Sequence, residues 1–135
     1  MAKESGLGFS VAVDDSSGTA RTISNDVNSL QFATPRGVQD VTGVDKSAME
    51  RLLLLADMSV TINLTGLNDA ANMSFAVFKT VPSTSVARTT TLAISGQTLA
   101  AEILFTDFPV QRSSAGEITS AVPGALADGT VPTWS

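Results

Sequence analysis

The stretch Arg51-Leu-Leu-Leu-Leu-Ala-Asp-Met-Ser-Val-Thr-Ile-Asn-Leu-Thr-Gly-Leu67 contains two apolar patterns, and the second decides the fold class. From Met58 to Thr65, apolar and polar residues alternate strictly. Because successive strand side chains point to opposite faces, this alternation predicts a strand with one apolar and one polar face. The four leucines at 52–55 do not alternate. They fit either a helix end or a strand buried on both faces, and periodicity alone does not choose.

Such a strand needs partners for its backbone groups, and the composition indicates that the rest of the chain supplies them. The chain has 135 residues, of which 43% are hydrophobic and only 16% are charged, so it can bury a core. Ten glycines and five prolines punctuate a sequence rich in Val, Thr, Ser and Ala. We therefore predict one mainly β domain over residues 1–135, with many turns.

Charge and missing residue types exclude several functions. Eight basic and thirteen acidic residues give a net charge of −5, which argues against binding to nucleic acid or to an anionic membrane. The chain has no cysteine, which excludes disulfides and thiolate chemistry, and no histidine, the commonest general base and metal ligand. It also has no Walker loop and no Gly-x-Ser-x-Gly elbow, so we expect no enzyme activity, no cofactor and no metal.

Carboxylates remain the one residue type that could act as an acid–base pair. The candidates fall in turns and at strand ends, where solvated carboxylates are expected; they are Asp40, Asp45, Asp57, Asp69 and Asp107. The adjacent pair Asp14-Asp15 lies in a polar turn that ends at Gly18. Turn chemistry favours a solvated hairpin tip there over a metal or acid–base site.

Alternation predicts further strands on both sides of the central one. They cover Leu7–Val13, Ala20–Ser24, Val27–Ala33, Arg88–Ser95, Leu99–Val110 and Ile118–Val122. Apolar residues occupy both faces of Leu99–Val110, so we expect that strand to be central and covered on both sides. Pro123 would end the last strand, and residues 124–135, which include Trp134, would form a C-terminal arm.

Residues 36–57 are predicted to form a long loop followed by a short helix. Arg36–Gly43 has turn residues without a period, and a loop that long in a compact domain is usually functional. Asp45 is a plausible N-cap, and Ser47 with Glu50 has the spacing of a capping box, so a helix would begin there.

A second short helix is predicted over Met73–Thr80, because Met73, Ala76 and Val77 are spaced as on one helix face. Asn72 could cap it. The aromatic pair Phe75 and Phe78 could instead belong to a strand, and we expect it to pack in the core rather than to stack on bases.

The sequence also resembles a known family, the tail tube (major tail) proteins of long-tailed bacteriophages. The similarity covers about residues 35–123. It rests on Pro35-Arg36, Asp40-Val-Thr-Gly43, Ser47-Ala48, Glu50-Arg51-Leu52, Thr65-Gly66-Leu67-Asn68, Gly96-Gln97, Phe105-Thr-Asp-Phe108 and the strand Gly116–Val122.

The resemblance implies a β-sandwich or barrel-like tail-tube fold with one or two short flanking helices. It implies a structural virion protein that assembles into hexameric rings, whose inner sheets join into a closed channel. Stacked rings would form the tail tube through which DNA leaves the virion without specific binding and without membrane contact. Implied partners are other copies of the chain, a tape measure protein, and terminator and tip proteins. The protein would be assembled in the host cytoplasm and located in the virion tail.

The same reading predicts two sets of assembly residues. A polar face on a long strand needs water, so we expect the channel to be lined by Ser59, Thr61, Asn63 and Thr65. Contacts between subunits and rings are expected at Arg36, Val38, Asp40, Val41, Asp45, Arg51 and Trp134. A hexamer with −5 per subunit totals −30, and such a charge would repel DNA phosphates.

Two alternatives stay open at the level of sequence. One is another virion part of similar build, such as a tail terminator or a capsid decoration protein. The other is a small β-sandwich binding or adhesion module, which would be a stable monomer with a ligand-sized pocket or an exposed aromatic patch. No immunoglobulin-like added domain, which some tail tube relatives carry, is evident in the sequence.

Overall fold

Antiparallel strands dominate the computed structural model, which describes residues 5–67 and 73–135. The strands are β1 Ser10–Asp14, β2 Ala20–Thr22, β3 Val27–Ala33, β4 Arg36–Asp40, β5 Arg51–Ala56, β6 Ser59–Thr65, β7 Arg88–Ile94, β8 Gln97–Phe105, β9 Val110–Arg112 and β10 Ile118–Leu126. A 3₁₀ turn at Ser24–Asp26 and the helix α1, Ser74–Phe78, complete the described elements. The mainly β prediction is confirmed. Within the described residues, no helix has the length and apolarity needed to cross a membrane.

Eight strands form one sheet in the order β2-β1-β7-β8-β10-β6-β3, with β9 beside β10. The buried core joins Val11 and Val13 of β1 to Ile62 of β6 and Ile103 of β8. These strands stand far apart in the sheet order, so the sheet must curve around a shared core. This is the sandwich or barrel-like arrangement expected from the sequence.

Strand β6 follows its alternating sequence closely. Val60, Ile62 and Leu64 are buried, while Ser59, Thr61 and Thr65 are exposed. The strand pairs with β10 on one side and with β3 on the other, so its backbone groups are satisfied along both edges. The prediction of a central strand with one apolar and one polar face is confirmed.

Helix α1 confirms the second helix prediction and closes one side of the core. Phe78 is fully buried, and its ring meets that of Phe105 edge-on with centroids 5.3 Å apart. Phe75 makes a similar contact with Phe108, so the aromatic pair packs in the protein as expected. The proposed cap, Asn72, lies outside the described residues; the residue before the helix is Met73.

Arg88 is the largest fully buried side chain and holds α1 against the sheet. Its guanidinium donates hydrogen bonds to the Val77 carbonyl at 2.8 Å, to the Thr80 hydroxyl at 2.7 Å and to the Asp14 carbonyl at 3.1 Å. Burial lowers the pKa of Arg88 from its ordinary value. The neutral acceptors therefore offset part of the cost of removing a charge from water.

Residues 36–57 differ from their prediction. They contain no helix; β4 and β5 pair instead as a separate two-stranded hairpin, and the capping residues Asp45 and Ser47 lie in the turn between them. Cross-strand pairing competes with helix formation here, and the Thr42 side chain fixes the turn by accepting a hydrogen bond from the Glu50 amide at 2.8 Å.

The two C-terminal strand boundaries also differ from their prediction. Strand β8 ends at Phe105, and Val110 begins the separate short strand β9 after Pro109. Pro123 does not end β10, which continues to Leu126, so the arm begins at residue 127 and not at 124.

Proline is tolerated inside β10 because of the position of its missing N–H. The Leu126 amide donates to the Met58 carbonyl and the Gly66 amide donates to the Ile118 carbonyl, so even-numbered residues of β10 bond to β6. Pro123 therefore points its nitrogen to the other side, where the partner of β10 changes from β9 to β8. On that side the Thr106 amide, just past the end of β8, donates to the Pro123 carbonyl at 3.3 Å, and the return bond is the one that proline cannot make.

Candidate functional site: assembly surfaces

The β4–β5 hairpin gathers six of the seven predicted contact residues on one projecting element. Arg36, Val38 and Asp40 lie on β4, Val41 and Asp45 follow in the turn, and Arg51 begins β5; all six are exposed. No hairpin residue belongs to the buried core cluster. Within the described residues, no other strand or helix makes more than marginal contact with the hairpin.

Local hydrogen bonds hold the hairpin together. The Arg36 guanidinium donates twice to the Leu54 carbonyl, at 2.8 and 3.0 Å. In the turn, the Thr42 hydroxyl and amide donate to the Asp40 carboxylate at 2.6 and 2.9 Å, and these bonds lower the pKa of Asp40. Two-stranded hairpins are marginal in water on their own, so these bonds matter for its shape.

Apolar side chains cover both faces of this hairpin. Val38 lies opposite Leu53 and Gln39 lies opposite Leu52, so Val38 and Leu53 share one face and Leu52 occupies the other. The exposed fractions are 53% for Val38, 54% for Leu52, 60% for Leu53, 43% for Leu54 and 90% for Leu55. Neither interpretation left open for this leucine run, a helix end or a strand buried on both faces, holds in the single chain, because the run is a strand whose leucines stay exposed among the described residues.

Two grooves lie at the base of the hairpin, with volumes of about 600 and 550 Å³. Both are lined by Arg36, Leu55 and Ala56; the larger also includes Val131 of the C-terminal arm. Exposed apolar side chains grouped in this way are typical of a protein–protein contact.

The C-terminal arm, residues 127–135, runs along β8 of its own chain. Trp134 forms a β-bridge with Leu99, and the Ser135 and Thr98 backbones exchange hydrogen bonds of 2.8 and 2.9 Å. Trp134 is still 46% exposed. Trp134 therefore lies apart from the other six predicted contact residues, against β8, which lies between β7 and β10 in the sheet.

The four predicted channel residues lie on one uncharged sheet face. Ser59, Thr61 and Thr65 are exposed, and half-buried Asn63 donates to the Ser29 hydroxyl at 2.9 Å. By register the same face extends over β3, β10 and β9. The neighbouring residues on that face are also uncharged: Ser29, Gln31, Ala33, Gln111, Thr119, Ala121, Pro123 and Ala125. By the same register the face continues over β8, where Leu104 lies beside Ala125 and is followed by the half-buried Glu102.

Among the described residues, the carboxylates considered for acid–base chemistry bond to neighbours in their own turns or at strand ends. Asp57 and Asp107 accept hydrogen bonds from the next amide, at 2.7 and 2.8 Å, and Asp45 pairs with Lys46 at 3.8 Å. Asp69 lies outside the described residues. Among residues 5–67 and 73–135, no group of three or more acidic side chains is placed to hold a metal ion.

Of the acidic pair Asp14-Asp15, Asp14 ends β1 and Asp15 caps the turn, as turn chemistry predicts. The Asp15 carboxylate accepts from the Thr19 and Ser17 amides at 3.0 and 2.9 Å and pairs with Arg21 at 3.1 Å. The Thr19 bond, with the contributions of Arg21 and Ser17, lowers the pKa of Asp15.

Sequence reasoning missed the feature that dominates this surface, the hairpin itself. The signal was present: Gly43-Val-Asp-Lys-Ser is a turn cluster between two segments that both contain apolar residues. The charged residues around Ser47 also fit helix capping, and that interpretation led to the wrong element.

Comparisons with solved structures show where this fold occurs. A chain of the virion of a native gene transfer agent particle matches with a TM-score of 0.78 and 14% identity, over 98% of this chain and 99% of that chain. A chain of the tail of an empty gene transfer agent particle with C6 symmetry matches with a TM-score of 0.75 and 15% identity, over 98% of both chains.

A third match comes from the six-fold symmetrised baseplate of the anti-feeding prophage. Its TM-score is 0.69 at 10% identity, over 100% of this chain and 97% of that chain. No protein-family model and no curated protein matches the sequence. At these identities the comparisons establish a shared fold, one that is used in phage-like tail and baseplate assemblies.

Proposed function

We propose that this chain is a structural subunit of a phage tail tube, with no catalytic activity. The observation that carries the proposal is the β4–β5 hairpin, whose leucines are exposed in a single chain and need a partner surface. Chains of the same fold occur in a C6-symmetric tail and in a six-fold baseplate, which supports repeated copies as that partner. In this function the subunits form hexameric rings, and the rings stack into a tube located in the virion tail.

Ring closure is assigned to the two free edges of the run β9-β10-β6-β3. Among residues 5–67 and 73–135, β3 pairs with β6 alone and β9 pairs with β10 alone. Strand β3 is seven residues long and has no charged or proline residue to block pairing, which is typical of an edge that joins another strand. In the proposed ring, β3 of one subunit pairs with β9 of the next, and the sheets close into a channel.

The channel wall is then the uncharged face that carries Ser59, Thr61, Asn63 and Thr65. Hydroxyl and amide groups hydrate well but offer phosphates no positive charge, so duplex DNA slides past them. From the net charge of the sequence, repulsion by an acidic wall is expected to prevent DNA binding. In the proposed channel the reason is different: DNA does not adhere because the described residues of the channel face include no cationic side chain. The tape measure, terminator and tip proteins remain partners implied by this function.

Electron microscopy and hydrogen exchange test the proposal together. Negative-stain images of concentrated protein should show hollow rings or tubes wide enough for duplex DNA. Odd-numbered residues of β6 bond to β3, so the Gln31 amide faces β6 while the Leu30 and Phe32 amides point to the free edge. Leu30 and Phe32 should exchange rapidly in dilute monomer and slowly in the assembly, with Gln31 protected in both.

Two outcomes would count against this function. A monodisperse monomer at every concentration would favour a decoration or adhesion module. Assemblies in which the Leu30 and Phe32 amides stay unprotected would show that β3 does not close the ring.

A further inference from the structure

We infer that the β4–β5 hairpin inserts between two other copies of this chain and buries one face against each. This inference rests on the proposed function but goes beyond it, because it assigns a separate partner to each hairpin face. One face carries Val38 and Leu53, and the other carries Leu52. Side chains on opposite faces of a two-stranded ribbon point in opposite directions, so one flat partner surface covers only half of them.

A single partner could cover both faces only with a cleft that accepts the whole hairpin. Away from the hairpin, one apolar groove of the described residues is lined by Phe9, Leu30, Leu92 and Ile94 and has a volume of about 360 Å³. That space suits one or two side chains, whereas a ribbon has strands about 4.8 Å apart with side chains on both faces. Two neighbouring subunits, by contrast, leave a gap between them that can accept the hairpin even if neither subunit has a cleft of its own.

Charge distribution favours copies of this chain as the occupants. Residues 36–56 contain three basic side chains (Arg36, Lys46, Arg51) and three acidic ones (Asp40, Asp45, Glu50), so the hairpin is neutral. The rest of the chain keeps five basic and ten acidic residues, which is the whole net charge of −5. Two copies repel each other through their bodies, but a neutral apolar hairpin approaches an acidic neighbour without that penalty.

The positions of the polar groups on the hairpin are also typical of a protein–protein interface. Asp40 and Arg51 lie directly opposite each other beside Val38 and Leu53, which gives that face an apolar centre with a charged margin. The Arg36 guanidinium bonds to the Leu54 carbonyl of its own chain. The hairpin thus presents mainly apolar surface, as interface centres do.

Cysteine labelling tests each face separately, because the natural chain has no cysteine. The variants are Val38→Cys for one face and Leu52→Cys for the other, with Ser17→Cys in the exposed β1–β2 turn as the matched control. All three positions are exposed in the single chain, so the variants should fold, and circular dichroism checks this.

Thiol reactivity toward a maleimide is measured in dilute monomer and after assembly. Both hairpin thiols should lose reactivity by about tenfold or more, as expected when a site opens only through rare dissociation, while Ser17→Cys keeps its reactivity. A benzophenone on each hairpin thiol should then crosslink to different peptides. When a small fraction of the labelled double variant Val38→Cys/Leu52→Cys is assembled with an excess of the natural chain, which has no cysteine, it should yield a three-chain product.

The outcomes separate this inference from the proposed tube. Assembly with one thiol still reactive, or with both probes on one peptide and only two-chain products, overturns the two-copy slot and leaves the tube intact. Closed rings that never stack, with both thiols protected, overturn the tube and keep the slot. A monomer at every concentration with both thiols reactive overturns both.

Discussion

Strands β5 and β6 are separated by only two residues, yet they use apolar side chains in opposite ways. In β6, apolar residues alternate with polar ones, and Val60, Ile62 and Leu64 are at most 2% exposed. In β5, four consecutive leucines are 43–90% exposed. The difference shows that hydrophobicity alone does not identify core residues. The alternation of apolar and polar residues indicates which strand face is buried within the single chain.

The comparison also separates two kinds of stability. Burial of β6 contributes to the folding of one chain, since each buried aliphatic side chain is worth about 1.5–3 kcal/mol. The leucines of β5 gain nothing comparable until another surface covers them. Substitutions in the two strands should therefore affect different equilibria.

The largest expected effect on folding comes from Ile62→Ala. Removing a fully buried side chain leaves a cavity, so the free energy of unfolding should fall by about 2–5 kcal/mol. The matched variant Leu53→Ala, at a site 60% exposed, should change it by less than about 0.5 kcal/mol. Urea unfolding of dilute monomer measures both, and equal losses in the two variants would contradict the division between the strands.

Two glycines, one in the main sheet and one in the hairpin, allow the same comparison, because substitution by alanine adds one methyl group to each region. A Cβ at Gly124 in β10 would lie 2.5 Å from Cγ2 of Ile103 and 3.1 Å from the Phe105 ring, both in the core. Gly124→Ala should therefore destabilise the monomer by about 1–3 kcal/mol through overpacking. A Cβ at Gly37 in β4 would meet Leu54 at 3.5 Å, which is an ordinary contact.

Gly37→Ala is accordingly the control, with a stability equal to that of the natural chain or slightly higher. Thermal unfolding followed by circular dichroism measures both variants at low concentration. A lower midpoint for Gly37→Ala than for Gly124→Ala would show that the hairpin, and not the sheet, limits the stability of the chain.

Periodicity predicted most of the sheet because burial within one chain imposes it. Residues Val27–Ala33 form β3 as predicted, and β6 and β7 agree with their predictions to within a residue or two. Helix α1 was also predictable, since its apolar residues are spaced to meet one core. The identity of these elements depends on local pattern and on a core that the same chain provides.

The remaining features depend on relations between distant residues. The buried Arg88 bonds to the Val77 and Asp14 carbonyls, and no local pattern announces those partners. Pro123 stays within β10 only because β9 and β8 meet at that position. The leucines of β5 gave an ambiguous period because, among the described residues, they are not buried in the core of this chain. The channel and contact residues, whose predicted roles concern several chains, stay predictions for the same reason.

The smallest expected effect concerns the turn of the hairpin and its response to acid. Hydrogen bonds from the Thr42 hydroxyl and amide hold the pKa of Asp40 below its ordinary value of 3.8. A carboxylate with a depressed folded pKa stabilises the turn at pH values above 3.8, and this contribution is lost as the pH falls through the folded value. The turn should therefore loosen only in strong acid, while β6, which has no titratable side chain, stays protected.

Amide exchange at Thr42 and Glu50, corrected for the intrinsic pH dependence, measures this effect against Ile62 as the internal reference. Protection at Thr42 and Glu50 should decrease below pH 3.8 in the natural chain. In Asp40→Asn the side-chain oxygen still accepts the Thr42 bonds but does not titrate, so that decrease should disappear. A parallel loss at Ile62 would mean that the hairpin and the sheet open as one unit, against the separation of β5 from β6.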